Sequence, residues 1–271
     1  MNNIPPEAIR LIQITDLHCY ADDNAKLEWS DIPVYPNRSV LRVLAHLQNE
    51  NTSFDALVIS GDLVQEETAA SYQRISEMLQ DFPKPIYVLP GNHDIPALMK
   101  SHLVEQDENV HFQLKQDFGQ WQCLFLDTNA PQSPEGHLDD EQFADIAAQL
   151  SQLSPEDHVL LFMHHHPLSI GSPWMDKMGL QETEQFWSLL ARYPQVSCVV
   201  FGHIHSEFSV EHAINDKHIV DVFGTPATCI QVKHIDENLN LDHARPAWRE
   251  LTLYPDGKLD TEVKYLPEAA V

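Results

Sequence analysis

Eight side chains in this sequence combine residue types and spacings suited to binding divalent cations and moving protons: Asp16 and His18, Asp62, Asn92 and His93, His164, and His203 with His205. They stand in the runs Asp16-Leu17-His18, Gly61-Asp62, Gly91-Asn92-His93-Asp94, His164-His165-His166-Pro167 and Gly202-His203-Ile204-His205. A carboxylate can face one cation with each of its two oxygens. Asn offers a neutral oxygen, and imidazole either ligates a metal or transfers a proton. With Asp62 as the bridge, the set suits two near-octahedral divalent ions. Asp16, His18, Asp62 and His205 are expected around one, and Asp62, Asn92, His164 and His203 around the other. The donors are oxygen and imidazole without thiolate, which favours Mn, Fe or Zn, and the imidazole content argues against Mg or Ca. A structural zinc site would instead be closed, four-coordinate and cysteine-rich.

Such a set needs strands that end at a common edge. Ile9 to Thr15, Ala56 to Ser60, Ile86 to Leu89, Val159 to Met163 and Val196 to Phe201 are short apolar runs, and each delivers one of the motifs at its end. Open α/β sheets carry their ligands at the carboxyl ends of strands. On an extended backbone residues i and i+2 face one side, which would put Asp16 beside His18 and His203 beside His205. The same logic makes three adjacent histidines diverge, so His164 is read as the ligand and His165 and His166 as supporting or packing residues. Asp94 is expected to anchor its turn. Helices are predicted over Ser39 to Asn49, Glu66 to Gln80, Ile95 to His102, Asp139 to Leu150 and Glu182 to Tyr193, and they complete β-α-β units. A further strand is predicted over Trp121 to Leu126, and the chain from Phe208 to Leu266 reads mainly as strands. Two stretches, Cys19 to Asn37 and Leu168 to Leu180, have weak periodicity and carry Tyr20, Trp29, Tyr35, Trp174, Met175 and Met178, so they either line a pocket or pack beneath a surface loop.

The chain has 271 residues, with 16 Lys plus Arg against 41 Asp plus Glu and a formal charge of −25. That balance disfavours a nucleic acid polymer as partner. One domain over residues 1–271 is expected, with a strand-rich part from about residue 206. The four cysteines lack C-x-x-C spacing and read as buried free thiols of a reducing compartment. Residues Met1 to Arg10 show no leader pattern and no apolar run reaches transmembrane length, so a soluble, cytoplasmic protein without a membrane partner is expected.

The series D-x-H, G-D, G-N-H-D, H-H-x-P and G-H-x-H, from Asp16 to His205, resembles the calcineurin-like metallophosphoesterases. Ile12 to His18, His164 to Leu168, Gly171 to Asp176, Thr225 to Gln231 and Pro246 to Arg249 extend the resemblance to the class III cyclic-nucleotide phosphodiesterase branch. The resemblance implies an α/β fold of four layers, α-β-β-α, with two mixed sheets face to face. It implies two divalent ions, Fe or Mn before Zn, and hydrolysis of 3′,5′-cyclic AMP to 5′-AMP by in-line attack of a hydroxide bridging the ions. It further implies substrate contacts from His18, Asn92, His93 and His205, and catalytic roles for Asn92 and His93. His93 would either stabilise the transition state or protonate the leaving group. A homodimer is also implied. The rival activities on this scaffold are hydrolysis of a phosphomonoester, a 2′,3′-cyclic nucleotide or another small diester, and, less favoured, non-catalytic protein binding. Trp174 and Tyr20 are candidates for stacking on a base, though each is equally suited to a core. Two positions depart from the family pattern. Gln65 stands where many relatives have Asp, which leaves open what orients His93, and Ala247 stands where glycine is expected before Trp248, a change expected to touch a dimer contact or the pocket rim.

Overall fold

The computed structural model describes residues 7–49, 53–234, 238–242 and 245–267. Part of the amino-terminal segment Met1 to Arg10, and short pieces of the strand-rich region between Phe208 and Leu266, lie outside the described residues.

In chain order the elements are β1 (Ile9–Ile14), α1 (Pro36–Asn49), β2 (Ala56–Ser60), α2 (Ala69–Leu79), β3 (Ile86–Leu89), α3 (Pro96–His102), β4 (Val110–His111), β5 (Lys115–Phe118) and β6 (Trp121–Phe125). Then follow α4 (Asp140–Leu150), β7 (His158–Phe162), α5 (Thr183–Leu190), β8 (Val196–Phe201), β9 (Phe208–Asn215), β10 (His218–Gly224), β11 (Gln231–Lys233), β12 (Asn240–Asp242), β13 (Ala247–Leu253) and β14 (Leu259–Tyr265). Two six-stranded sheets result, ordered β14-β13-β1-β2-β3-β4 and β5-β6-β7-β8-β10-β9, with β11 and β12 forming a separate ribbon. Strands β1 to β4 run parallel in one sheet, and β6, β7, β8 and β10 in the other; β13 and β14 add antiparallel pairings at one edge of the first, and β5 and β9 at the two edges of the second.

Strands buried on both faces read as continuous apolar runs, and the alternation within them sorts residues between layers. Leu11, Val58, Leu89, Leu160 and Val200 point between the sheets. Their neighbours Ile12, Leu57 and Val88 meet α1, α2 and α3 on one outer face, and Leu161 and Val199 meet α4 and α5 on the other. The predicted four layers are therefore present. Tyr87 of β3 stacks on Phe125 of β6 at 5.1 Å between ring centroids, and Phe125 on Phe162 of β7 at 5.4 Å. This aromatic run ties the sheets together, each pair adding about 1 kcal/mol beyond burial. Among the described residues no helix is long and apolar enough to cross a membrane. The four cysteines are buried and unpaired.

Helix ends differ from the sequence reading where caps decide them. The predicted start at Glu66 gives way to Ala69 because the Thr68 side chain accepts the Ser71 N–H as N-cap. Helix α1 begins earlier than Ser39, at Pro36, whose fixed φ suits a first helical position. Asp139 lies outside α4 as its cap, with Gln142 completing a capping box. Helix α5 closes at Leu190 rather than Tyr193. The short β4 and the half-exposed β5 were not anticipated.

A candidate dinuclear metal centre

The parallel strands β1, β2 and β3 end at one edge and β7 and β8 at the facing edge, so stacking the sheets brings the five motifs together. Cross-sheet hydrogen bonds fix the join. His164 Nδ1 donates to the Ser60 carbonyl at 2.8 Å, and the His203 backbone N–H donates to Asp16 Oδ2 at 3.0 Å. Glycine is required at two points. At Gly61, with φ of 98°, an added Cβ would collide with the His164 ring, and at Gly91 it would collide with Asp62 and His164.

The strand-tip residues do not continue the pleat. Asp16, His18, Asp62, His203 and His205 all have φ between 48° and 66°. The i, i+2 argument from an extended backbone is therefore corrected: each pair converges because its members occupy the left-handed region, which costs roughly 1–2 kcal/mol per residue and persists only where surroundings over-determine it. Here they are buried and hydrogen-bonded, with Asp16 N–H to the Gly61 carbonyl and His18 N–H to the Asp62 carbonyl, both at 3.0 Å.

Asp62 lies between two groups of candidate ligands. Its Oδ1 is 3.3 Å from His164 Nε2, and its Oδ2 is 3.6 Å from His18 Nε2. Asp16 Oδ1 is 3.3 Å from His205 Nε2, which is 3.2 Å from His18 Nε2. Asp16, Asp62, His18, His164, His203 and His205 are buried, while Asn92 and His93 are half-buried. Asp16 Oδ1, Asn92 Oδ1, His164 Nε2 and His203 Nε2 are buried without a hydrogen-bond partner. So many orphaned acceptors in one place is a large desolvation cost unless cations satisfy them. The ring orientations agree with that use: His164 and His205 donate Nδ1–H to the Ser60 and Ile230 carbonyls, which turns each Nε2 toward a carboxylate, where a cation can take the place of a proton. The donor set thus fits a pair of divalent ions.

Electrostatics point the same way. Burial opposes the Asp62 anion, yet the His164 and His93 imidazoles hold its carboxyl well below the usual carboxylate range, and Asp16 is lowered by His205 against the same burial. Burial drives His18 down to about 3 and His203 well below its ordinary value, so both are neutral and able to ligate. Burial also opposes a proton on His164, but Asp62 raises it to about 9. A cation would displace that proton.

His93 lines the cavity with its ring 4.9 Å from His18, and its backbone N–H donates to Asp62 Oδ1 at 2.9 Å. Asp94 turns inward: Oδ2 accepts from Gly91 N–H at 2.9 Å and Leu63 N–H at 3.1 Å, and Oδ1 accepts from the Tyr72 hydroxyl at 3.0 Å. Gln65 is engaged elsewhere, its Oε1 accepting from Trp29 Nε1 at 3.2 Å. Ala247 is buried within β13 with its N–H on the Ala227 carbonyl, away from the cavity lining.

His165 does not diverge as an extended chain would make it, because β7 has already ended. It keeps a nitrogen within the His164 and His203 group and pairs with Thr128 Oγ1 at 2.7 Å. His166 is buried 3.9 Å from Asp176. Of the two stacking candidates, Tyr20 belongs to a small core with Leu27, Ala227 and Ile230, while Trp174 lines the cavity. Trp29 lines it too, edge-on to His18 and His205 at 5.9 Å each. Sequence reasoning missed Thr128, Asn129, Tyr72 and Cys229. Asn129 supports the Gly91 turn, and Cys229 lies within the His18 and His205 group. The whole forms a cavity of about 260 Å³, polar at the ligand end and apolar where Trp29, Trp174, Met175, Met178 and Val232 face it.

Comparison with known proteins gives a consistent picture. Residues 9–207 match the family model described as calcineurin-like phosphoesterase. The chain is 35% identical over 265 residues to the 3′,5′-cyclic adenosine monophosphate phosphodiesterase CpdA of Vibrio vulnificus, covering 98% of this chain and 93% of the relative. It is 36% identical over 261 residues to the protein of that name from Escherichia coli K12, covering 96% and 90%. Among solved structures, a dimetal phosphatase from Danio rerio aligns over 96% of this chain and 99% of its own with a TM-score of 0.65 at 12% identity, a likeness of fold.

Proposed function

Because the chain belongs to the calcineurin-like phosphoesterase family, we propose that it is a dinuclear metallohydrolase that opens 3′,5′-cyclic AMP to 5′-AMP. The observation that carries the reading is Asp62, whose two carboxylate oxygens face His164 and His18 separately, in a chain more than one-third identical to cyclic AMP phosphodiesterases over almost its full length. Asp16, His18, Asp62 and His205 would hold one divalent ion, and Asp62, Asn92, His164 and His203 the other; the donors suit Mn, Fe or Zn, and the family resemblance puts Fe or Mn before Zn. When bound, the ions neutralise charge on phosphoryl oxygens and make water a nucleophile at neutral pH.

The chain's own residues do the rest. Carbonyls of Ser60 and Ile230 lock the His164 and His205 rings so that the pair of sites is set before substrate arrives. Asn92 has an oxygen for its ion and leaves its amide N–H groups for a phosphoryl oxygen. Hydrolysis adds the oxygen of water to phosphorus and breaks the bond to the 3′ oxygen, which must leave with a proton. His93 is the side chain placed either to supply that proton at the 3′ oxygen or to stabilise the charge that develops there. Trp29, Met175 and Met178 shield the site, lowering the local dielectric in which these charges interact.

The test is a substrate panel with metal-stripped protein reconstituted with manganese: 3′,5′-cyclic AMP, 2′,3′-cyclic AMP and p-nitrophenyl phosphate. Preferential release of 5′-AMP from the first is expected. Activity confined to the other two would overturn the substrate assignment.

A further inference from the structure

The apolar end of the cavity has no role in holding ions, and its aromatic residues are fixed in two different ways. Trp29 is tied by its Nε1–H to Gln65 and stands edge-on to His18 and His205, so it belongs to the wall of the ion pair. Trp174 lines the same cavity, but its Nε1 is buried without a hydrogen-bond partner, so no hydrogen bond of its own sets the angle of the ring. The indole stacks on the His234 ring at 5.8 Å with 27° between planes, and it also packs against the core shared by α4 and α5.

His234 is in turn pinned. Its Nε2 donates to the Ile204 carbonyl at 2.7 Å, which leaves Nδ1 to accept from the Ser172 hydroxyl at 3.3 Å. Ile204 lies between His203 and His205, and Ser172 lies two residues before Trp174. A single imidazole thus couples the loop carrying Trp174 to the turn that carries two ion ligands. Ser172 and Ile204 are both buried, and His234 between them is half-buried.

We propose that Trp174 is the plate on which the nucleobase of the substrate stacks, and that His234 is the positioning residue that holds this plate in register with the ion pair. The inference rests on the cyclic nucleotide reading above. With the phosphate at the ligand end, the base extends to the apolar end, where a flat heterocycle covers the indole that His234 backs from behind. Stacking of this kind tolerates any base but favours the larger purine surface, so it gives preference for cyclic AMP over a cyclic pyrimidine nucleotide without hydrogen-bond readout.

The experiment compares Trp174→Ala, Trp174→Phe and His234→Ala with wild type in the manganese-reconstituted protein. The substrates are 3′,5′-cyclic AMP, 3′,5′-cyclic UMP and a base-free diester with no aromatic ring, the 3,5-cyclic phosphate of 1-deoxyribose. Trp174→Ala is expected to lower the ratio of kcat/KM for cyclic AMP over the base-free diester by roughly tenfold or more, mainly through KM, and to erode the preference over cyclic UMP. Trp174→Phe should restore most of that ratio, and His234→Ala should reproduce the loss in weaker form. Equal loss on all three substrates, or an unchanged KM for cyclic AMP in Trp174→Ala, would overturn the stacking plate alone. Wild-type protein that cleaves the base-free diester but neither cyclic nucleotide would overturn the substrate reading, and this inference with it.

Discussion

The side-chain amide of Asn129 donates to the carbonyl of Gly91 at 2.6 Å, across 38 residues of sequence, and to the Asp94 carbonyl at 3.0 Å. One amide from the loop after β6 thus closes both ends of the turn that presents Asn92 and His93. Asn129→Ala strips two carbonyls of a partner. The expected loss is roughly 1–3 kcal/mol of stability, measurable by urea denaturation, together with a fall in kcat exceeding any rise in KM. A variant as active as wild type would show that the turn holds without this brace.

Replacement of Asp62, the proposed bridge, tests the proposed pair of ion sites. Asp62→Ala removes the two oxygens that face His164 and His18. Elemental analysis should show the pair of ions reduced to one or none, and turnover should drop by more than about a hundredfold. Retention of both ions would contradict the bridging role.

Leaving-group dependence separates the two roles open to His93. A group that protonates the 3′ oxygen matters most when the leaving group is a poor one. His93→Ala should therefore slow cyclic AMP hydrolysis by roughly 10²- to 10⁴-fold, and slow bis(p-nitrophenyl) phosphate, whose nitrophenolate leaves unaided, far less. Equal losses would assign His93 to electrostatic stabilisation instead. Metal content should be that of wild type in either case.

The Asp127 carboxyl, which is none of the candidate ligands and does not line their cavity, gives a separate pH signature. Burial pushes it up to about 6, although the Asn129 N–H pulls it down. Its folded value lies above its ordinary value of 3.8, so the folded state binds the proton more tightly than the unfolded one. This contribution to stability is complete below about pH 4 and is lost as pH rises through about 6. Asp127→Asn keeps an oxygen for the Asn129 N–H and removes the titration. Thermal melts should show the variant gaining on wild type by on the order of 2 kcal/mol between pH 4 and pH 7. A constant gap across that range would contradict the raised value.

How much of this was written in the sequence depends on what each residue answers to. Runs such as Ala56 to Ser60 are legible because a strand buried on both faces must be apolar throughout, and the polar residue that ends the run then stands out. Asp16, His18, Asp62, Asn92, His164, His203 and His205 stand out that way as candidate ligands, and the fold gathers them where the two sheets meet. The reason given for the pairs was wrong: left-handed backbone at Asp16, His18, His203 and His205 brings the side chains together, and that conformation depends on hydrogen bonds from another strand. Thr128 and Asn129 were missed because neither follows a glycine tip and both act across the sheet-to-sheet join. Tyr72 reads as one more apolar position of α2, and only the fold aims its hydroxyl at Asp94. Glu66 and Glu67 look like a helical first turn, but the cap that decides the start is Thr68.

The most direct test of the central claim is to run the manganese-reconstituted protein on 3′,5′-cyclic AMP in ¹⁸O-labelled water and identify the nucleotide product by mass. Attack of water on phosphorus with departure of the 3′ oxygen predicts 5′-AMP carrying one labelled oxygen in its phosphate. Unlabelled product, 3′-AMP, or no product from protein that holds both ions would contradict it.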